Sequence, residues 1–468
     1  MKKLSALPSE ALILMLGGLL RIAGLNASAI WYDEAFTVNM AKLPLRQMLA
    51  QQWIEYSPPL WNLLMRPFAY GPVWFVRLPA LLCSLASLWV VYKLMAKLGF
   101  NPWQRNLSAA LVAFFPSLIW TAQDARVYAL LSLLFLLAFW AALDGKWRAL
   151  GVLSVLMLYA HNTAPFLLVP VYFIALTQHI KEYRQIATAG TLSLLAFLPW
   201  LPSIIGRTSS FWLGEFQGGD ALLQMVFAVW VGSLPGDYLG LIFVLFAVAL
   251  WAWTLYRIFK NGALEYITPV FMILTLLPLF LLALYSSLVQ NAFFYRPLIA
   301  LVIPFALWMG SLVPRNWKAA SLVTLVWVLL LGFGVANYSP QTKGARLDNA
   351  ANYIRTHWQQ GDVIYYTTGT VALPFDYYLR DLPHRLMDME HNTGLMQLSH
   401  AHAFGIPVGE LLAPCPCNEI ERAWLIIPND PLLSDEARAQ LAPLIQNAEQ
   451  IGFIDYSQAA DVAIWLVE

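Results

Sequence analysis

Residues 9–35, SEALILMLGGLLRIAGLNASAIWYDEA, place two adjacent acidic side chains directly behind a long apolar run. The run over 9–29 is long enough for a membrane-spanning helix, which needs roughly 20 mostly apolar residues. Asp33 and Glu34 follow it where such a helix would leave the hydrocarbon. Carboxylates near that boundary are costly unless they are paired or used. The segment therefore predicts a membrane protein with an acidic site at one face of the bilayer.

The composition extends this reading to the whole chain. Of the 468 residues, 59% are hydrophobic and 12% are charged, whereas a typical soluble domain carries about 25% charged residues. This excludes an ordinary soluble enzyme and a disordered protein. The net charge of +1 gives no reason to expect nucleic acid as a partner. Three cysteines, Cys83, Cys415 and Cys417, are too few for a disulfide scaffold or a thiolate metal cluster.

Charge divides the chain into two unlike parts. Residues 1–337 hold 21 basic and 11 acidic side chains, whereas residues 338–468 hold 7 basic and 16 acidic ones. The first part is sparsely charged and the second is close to ordinary soluble protein. The pattern predicts a transmembrane domain over 1–337 followed by a small soluble domain over 338–468.

Eleven apolar stretches in the first part predict membrane spans. They are 9–29, 73–95, 106–121, 127–144, 148–163, 164–179, 187–205, 238–257, 267–288, 297–313 and 317–337. A shorter apolar stretch at 221–234 is assigned to an interfacial or re-entrant helix. With a cytoplasmic amino terminus, thirteen basic residues fall on the inner side and seven on the outer side, as the positive-inside rule requires. Eleven spans then place the carboxy-terminal domain outside the cytoplasm.

A second acidic residue lies on the same predicted face as Asp33. Asp124 stands in Gln123-Asp124-Ala125-Arg126-Val127-Tyr128, at the outer turn between the third and fourth spans. The plainer alternatives are that Asp33 and Glu34 are solvated loop residues and that Asp124 pairs locally with Arg126. The first outer loop, about 30–72, is also long, and loops of this length usually carry function. It contains Ser57-Pro58-Pro59-Leu60-Trp61 and, over Ala41–Ile54, a predicted amphipathic helix.

Two further outer segments carry polar side chains. Tyr159-Ala160-His161-Asn162 ends the fifth span, and Tyr295-Arg296-Pro297 opens the tenth. A lone histidine such as His161 is more often a satisfied helix-end residue than a ligand. Snorkelling of Arg296 to the interface would equally account for its position. Both remain candidates because they stand on the face that carries the acids.

Three of these motifs together resemble a known family. Trp31-Tyr32-Asp33-Glu34 after the first span, Ser57-Pro58-Pro59-Leu60 in the first outer loop, and the Gln123–Tyr128 motif are similar to those of polyprenyl-phosphate-dependent GT-C glycosyltransferases. More narrowly, they resemble the bacterial members that are protein-mannosyltransferase-like or that transfer aminoarabinose or galacturonic acid to lipid A. Tyr295-Arg296 resembles the family's Arg-Tyr element in reversed order.

The resemblance implies a GT-C fold, a helical polytopic membrane domain with an extracytoplasmic α/β domain. It implies transfer of a hexose or pentose from a polyprenyl-monophosphate donor, with inversion, to a lipid, glycan or protein acceptor on the outer face. It also implies a multi-pass protein of the bacterial inner membrane. By the motif match, Asp33 takes the first catalytic acidic position and Asp124 the second. Some relatives hold a divalent cation near these acids, and the sequence leaves open whether one binds between Asp33 and Asp124 here.

The residue types suit inverting transfer. A base must accept the acceptor's proton, and Asp33 is the candidate, with Glu34 assisting or orienting it. The departing phosphate needs charge stabilisation, for which the planar guanidinium group is suited. Arg126 and Arg296 are the candidates. Tyr128, His161 and Tyr295 are candidates to bind sugar or phosphate, although core packing would explain each of them as well.

The tail alternates helical and strand patterns. Helices are predicted over Asn349–Trp358, Phe375–Arg380 and about 434–449, and strands over Val363–Thr367, Ala423–Ile427, Ile451–Tyr456 and Val462–Val467. An α/β sandwich with a partly parallel sheet fits this order. Four histidines, His384, His391, His400 and His402, fall in a stretch that reads as loop. No phosphate-binding glycine loop or nucleophile elbow occurs there, so the tail is predicted to recognise the acceptor or cover the site.

A transporter or lipid-linked sugar flippase with an outer accessory domain is the alternative. Transporters usually show polar or broken helices near the bilayer midplane, often in paired repeats. Apart from Arg21, the ionisable residues of the first part of the chain lie at the predicted span ends. The two halves show no internal sequence repeat. This distribution favours the enzyme.

Overall fold

The structure is a computed structural model of the chain. It describes residues 8–205, 216–219, 224–225, 228–229, 267–313, 317–338, 347–388, 395–410, 422–428, 439, 442, 446, 449–454 and 462–467. Several predicted features lie outside these residues. They are the span 238–257, His391, Cys415, Cys417 and most of the predicted helices at 221–234 and 434–449.

The chain forms two compact units. The larger unit comprises Met1–Leu25, Gln52–Leu64 and Arg77–Ser339, and the smaller unit comprises Asn26–Gln51, Met65–Val76 and Pro340–Glu468. Two pieces of the first outer loop therefore group with the carboxy-terminal part of the chain. The sequence does not predict this grouping, because these pieces and the tail are separated by more than 260 residues. The assignment of functions to 1–337 and 338–468 stays a prediction.

Helices dominate the described part of the chain up to residue 338. In chain order they are α1 (Ser9–Ala23), α2 (Tyr32–Lys42), α3 (Leu45–Ile54), α4 (Leu60–Met65), α5 (Val73–Lys97), α6 (Pro102–Phe114), α7 (Pro116–Ala122), α8 (Tyr128–Leu143), α9 (Trp147–Ala160), α10 (Ala164–Gln178), α11 (Tyr183–Phe197), α12 (Ile267–Leu288), α13 (Tyr295–Leu298), α14 (Val302–Ser311) and α15 (Trp317–Asn337). Short 3₁₀ turns cover Ile180–Glu182, Leu201–Ser203 and Ile299–Leu301.

Three described helices are long and apolar enough to cross a membrane. They lie within α5, α12 and α15. A fourth crossing is counted if α10 and α11, bent by 109° across their short break, form one broken span. The helices α8 and α9 and the segment Tyr295–Ser311 are apolar but shorter. The prediction of eleven spans is not settled by these lengths.

The predicted third span, 106–121, is wrong as a single helix. It divides into α6 and α7 at Phe115, whose backbone is extended (φ −60°, ψ 124°). The residue before a proline is disfavoured in helical geometry, and Pro116 has no N–H to donate to the carbonyl four residues earlier. The break therefore follows from Pro116 and leaves carbonyls at the end of α6 without their helical partners.

Arg21 supplies the missing donors. Its Nη2 donates to the carbonyl of Val112 at 2.9 Å and its Nη1 to that of Ala113 at 2.7 Å. Nη1 also donates to the Gly17 carbonyl and Nε to Ser84 Oγ. Arg21 is only 1% exposed. The one basic residue inside the first predicted span is thus a structural cap for a broken helix.

Close contact between α1 and α6 depends on a glycine. A Cβ placed on Gly17 would lie 2.6 Å from Ala113 Cβ, which is closer than packed carbons can approach. We expect Gly17→Ala to lower stability by about 1–3 kcal/mol, the usual cost of overpacking. Thermal unfolding of the detergent-purified protein measures this. Gly332→Ala in α15 is the matched control, because no atom lies within 4 Å of its added methyl group; equal midpoints for the two variants would contradict the prediction.

The smaller unit contains α2 and a mixed sheet. Its helices α16 (Leu347–Thr356), α17 (Gly369–Leu379) and α18 (Leu395–Phe404) accompany β1 (Val363–Tyr366), β2 (His384–Asp388), β3 (Val408–Glu410), β4 (Ala423–Pro428), β5 (Glu449–Ile454) and β6 (Val462–Val467). The strand order is β3-β2-β1-β4-β6-β5. Strands β3, β2, β1 and β4 are parallel, and β6 and β5 are antiparallel to their neighbours. Tyr366, Trp424 and Phe375 are completely buried in its core.

The partly parallel sheet confirms the predicted α/β character, and strands β1, β4, β5 and β6 lie where strands were predicted. The sequence prediction misses β2, β3 and α18. His384 therefore lies in a strand and His400 and His402 lie in a helix, rather than in a loop. In the first loop, the helix predicted over Ala41–Ile54 begins only at Leu45, since Pro44 interrupts the chain between α2 and α3.

Candidate functional site

The Gln123–Tyr128 motif forms the turn between α7 and α8. Gln123 fixes this turn, because its Nε2 donates to the carbonyls of Leu20 and Arg21 at 3.1 and 3.2 Å. Its Oε1 accepts a hydrogen bond of 3.0 Å from the hydroxyl group of Tyr338. The side chain thus ties the motif to the end of α1 and to the residue that follows α15.

Two other outer segments meet this turn within the larger unit. Trp61, from the Ser57–Trp61 motif, donates through Nε1 to the carbonyl of Ala125 at 3.0 Å. Asn162, from the Tyr159–Asn162 segment, donates through Nδ2 to the carbonyl of Tyr56 at 2.8 Å. Three segments that the sequence places on one face of the membrane are therefore joined by hydrogen bonds.

The turn at Gln123–Tyr128 and the segments Tyr56–Trp61 and Tyr159–Asn162 together form what we call the junction. Asp124 lies in this junction and is completely buried. The electrostatic surroundings of the Tyr338 hydroxyl group include Asp124 together with Arg77 and Arg21. Arg77 is itself buried and donates to the carbonyl of Leu25 at 3.0 Å. The larger unit therefore holds one carboxylate and two guanidinium groups near the phenol group of Tyr338.

Arg126, Tyr128 and His161 form a second part of the junction. The rings of Tyr128 and His161 lie 5.9 Å apart, and the charge of Arg126 acts on the His161 imidazole. His161 Nδ1 is within 2.9 Å of Thr163 Oγ1. The structure thus brings together three of the residues predicted from the sequence to bind sugar or phosphate, and the contact with Thr163 is also what a satisfied helix-end histidine would make.

Tyr295 and Arg296 open α13. Arg296 stacks over the rings of Phe294 and Tyr295, with its Cζ 5.1 and 5.7 Å from their centroids. The backbone N–H of Tyr295 donates to Gln224 Oε1 at 3.1 Å. The guanidinium group is therefore oriented by aromatic neighbours from its own segment, and its role toward phosphate stays a prediction.

Asp33 and Glu34 belong to the smaller unit, where they occupy the first turn of α2. The sequence suggests a loop here, but the structure shows a helix that begins at Tyr32. Glu34 is completely buried and Asp33 is partly exposed. Carboxylates in a first turn interact favourably with the helix dipole and its unpaired amide groups. The Asp33 carboxylate therefore lies at a helix start and is accessible in part to a bound molecule.

Residues of the carboxy-terminal segment hold α2 within the smaller unit, and the sequence did not identify them. Asn39 Nδ2 lies 3.4 Å from Asp376 Oδ2 in α17, and the hydroxyl group of Tyr32 lies 2.8 Å from His400 Nδ1 in α18. No local sequence signal could pair residues that stand more than 330 positions apart.

Asp376 is held as a carboxylate. Burial would raise its pKa, but the hydrogen bond with His384 and the charge of Arg380 outweigh burial and keep the pKa below its ordinary value. The Arg380 and His384 nitrogens lie 3.0 and 3.4 Å from its oxygens. The pKa of His384 is raised in turn, because the interaction with Asp376 and the Leu382 carbonyl outweigh the effect of burial.

No group of three or more His, Cys, Asp or Glu side chains suited to a metal ion occurs within the described ranges. The divalent cation near Asp33 and Asp124 stays an untested expectation.

We expect Trp61→Phe to weaken the junction. The change keeps the aromatic ring but removes the Nε1 donor, which leaves the buried Ala125 carbonyl without that partner. Loss of one such bond costs about 1–3 kcal/mol. Thermal unfolding in detergent would show the decrease, and Trp103→Phe, on the more exposed Trp103 (37%), serves as the control. A Trp61→Phe midpoint equal to that of the control would contradict the prediction.

Comparison with solved structures shows that the fold is similar to that of a known protein. The structure aligns with the crystal structure of ArnT from Cupriavidus metallidurans bound to undecaprenyl phosphate, with a TM-score of 0.57 and 14% sequence identity. The alignment covers 98% of each chain. The chain has the ArnT fold. No family model matches the sequence, and no curated protein matches it either.

The ArnT fold confirms, as a likeness of fold, the predicted resemblance to the GT-C glycosyltransferases. It also confirms a mostly helical protein with several apolar helices and a small sheet. Coverage of both chains almost end to end includes the smaller unit, so the likeness is not confined to a bundle of apolar helices. The ArnT fold alone assigns no role to Asp33, Asp124 or any other side chain.

Proposed function

We propose that this protein is an integral-membrane inverting glycosyltransferase that moves a sugar from a polyprenyl-phosphate donor to an acceptor hydroxyl group. The observation that carries the proposal is the end-to-end fold similarity to ArnT, which was crystallised with undecaprenyl phosphate. The joined outer motifs support it, because they bring the buried carboxylate of Asp124 and the partly buried Arg126 into one turn. A hexose and a pentose donor are both compatible with this reading.

The chemistry assigned to the site is a single displacement. The acceptor oxygen attacks the anomeric carbon, the bond from that carbon to the phosphate oxygen breaks, and the phosphate leaves with the electron pair. The acceptor's proton passes to Asp33, with Glu34 assisting or orienting the helix start. Arg126 and Arg296 stabilise the departing phosphate, and Asp124 orients Arg126, the acceptor or a cation. Tyr128, His161 and Tyr295 bind sugar or phosphate.

The proposed placement follows from the donor. A polyprenyl chain stays in the bilayer, so its phosphate rests at the interface. We place the site at the outer face of the inner membrane, with eleven spans, a cytoplasmic amino terminus and an extracytoplasmic carboxy-terminal domain. The acceptor is a lipid, a glycan or a protein hydroxyl group.

A transfer assay tests the proposal. Purified protein in liposomes receives a panel of radiolabelled polyprenyl-monophosphate sugars together with an envelope lipid extract, with and without a chelator. Label that moves from the carrier to a new product supports the proposal and identifies the sugar. Labelled carrier that instead crosses the bilayer without any new product would replace the enzyme with the flippase alternative.

A further inference from the structure

The helix α2 carries the proposed base, and its N-cap residue makes no side-chain capping hydrogen bond. Its N-cap residue is Trp31, whose indole ring has no oxygen to accept hydrogen bonds from the first amide groups. The start of the helix is instead held by the smaller unit's carboxy-terminal residues. The N–H of Ile30 donates to the Tyr378 hydroxyl group at 2.8 Å, and Tyr32 lies 2.8 Å from His400 Nδ1.

His400 contacts two residues on one side of α2 that are one helical turn apart. Besides the hydrogen bond to Tyr32, its ring lies 4.6 Å from the ring of Phe36, and Phe36 also contacts Phe404 at 5.5 Å. Tyr32 and Phe36 are four residues apart and therefore lie one above the other on the helix surface. Asp33 and Glu34 stand between them in the chain. Contacts at both positions fix the rotation of the helix about its axis, and with it the direction of the carboxylates.

The other end of α2 has a separate anchor. Asn39 contacts Asp376, which Arg380 and His384 hold in place. The Lys42 ammonium lies 5.6 Å from the centroid of the Tyr377 ring. These contacts lie toward the opposite end of α2 from the carboxylates, whereas His400 contacts the first turn and the residue one turn further on.

We propose that His400 is a positioning residue that orients the Asp33 carboxylate through Tyr32 and Phe36. The inference rests on the proposed function, since it concerns the direction of that reaction's base. Small displacements of a catalytic group have large effects, because a misplacement of about 1 Å can cost 10²-fold in rate. His400 is 3% exposed, whereas His402 in the same helix is exposed. This difference gives a matched control within one helix.

The kinetic test uses the full-length protein in the transfer assay. We expect His400→Ala to lower kcat about 10- to 100-fold with little change in the KM for the polyprenyl donor. Tyr32→Phe, which removes a single oxygen atom, should lower kcat in the same direction. The double variant should be no slower than the worse single variant, because both changes break one interaction. His400→Asn, which offers a polar atom near the Nδ1 position, should recover part of the rate, and His402→Ala should match the wild type.

A second measurement does not need activity. Hydrogen–deuterium exchange should become faster over residues 32–42 in His400→Ala and Tyr32→Phe, while the sheet of the smaller unit exchanges as in the wild type. Unchanged exchange over 32–42 in Tyr32→Phe would overturn the inference even if His400→Ala failed to fold. A wild-type kcat in both single variants, or losses that multiply in the double variant, would overturn it as well. Absence of transfer by the wild type would instead reject the proposed function and leave the exchange result to decide the inference.

Discussion

Asp33→Asn is expected to reduce sugar transfer by about 10²–10⁴-fold. The substitution is nearly isosteric but removes the group that accepts the acceptor's proton, and a positioned general base contributes a factor of this size. Asp33 is partly exposed in the first turn of α2, so the amide requires no repacking of the core. The initial rate of label transfer from a polyprenyl-monophosphate sugar measures the loss.

Yield and unfolding temperature, measured beside the transfer rate, distinguish loss of the base from loss of the fold. Asp33→Asn should purify in the same yield and unfold at nearly the same temperature as the wild type. Asp33→Glu keeps a carboxylate but moves it by one methylene group, so an intermediate rate is expected. Glu449→Gln, at an exposed position in β5, controls for removal of a carboxylate elsewhere. If Asp33→Asn membranes retained full transfer, the base would have to be assigned to another residue.

The sequence could predict that the outer motifs belong together, because motifs and charges are local signals. Asp124 and Asn162 stand at predicted span ends and Trp61 stands in the first outer loop, and the number of predicted spans between them assigns all three to one side. The hydrogen bonds from Trp61 to Ala125 and from Asn162 to Tyr56 agree with that placement.

The partners of α2 could not be predicted in the same way. The pairing of Tyr32 with His400 joins residues 368 positions apart, and it depends on the tertiary arrangement of the smaller unit. The helix α18, which carries His400, was itself read as loop, because its histidines and polar residues obscure the helical pattern of apolar positions. Single-sequence reasoning thus located the acids but not the side chains that hold them.

Arg21→Leu is expected to be among the most destabilising single substitutions in the protein. The guanidinium group donates to the carbonyls of Val112 and Ala113, which Pro116 deprives of their helical pairing. Leucine matches the apolar surroundings but leaves these buried carbonyls unsatisfied. At about 1–3 kcal/mol for each carbonyl, we expect a loss of about 3–5 kcal/mol. The thermal unfolding midpoint of the detergent-purified variant should fall well below that of the wild type.

Two further variants test whether the four hydrogen bonds, and not the charge alone, are responsible. Arg21→Lys keeps the charge, but one ammonium group lacks the planar fork that reaches two carbonyls and Ser84 together, so only partial recovery is expected. Arg148→Ala, at an exposed position, should change stability by less than about 0.5 kcal/mol. Full recovery in Arg21→Lys would show that charge suffices.

The same series distinguishes a structural cap from a part of the reaction site. Arg21 contacts the end of α6 through backbone carbonyls, so its loss should act on stability first and on transfer only as the protein unfolds. At a temperature where Arg21→Leu remains folded, its transfer rate should therefore lie close to that of the wild type. If Arg21→Leu instead transferred sugar as slowly as Asp33→Asn while its unfolding midpoint stayed that of the wild type, Arg21 would belong to the reaction site.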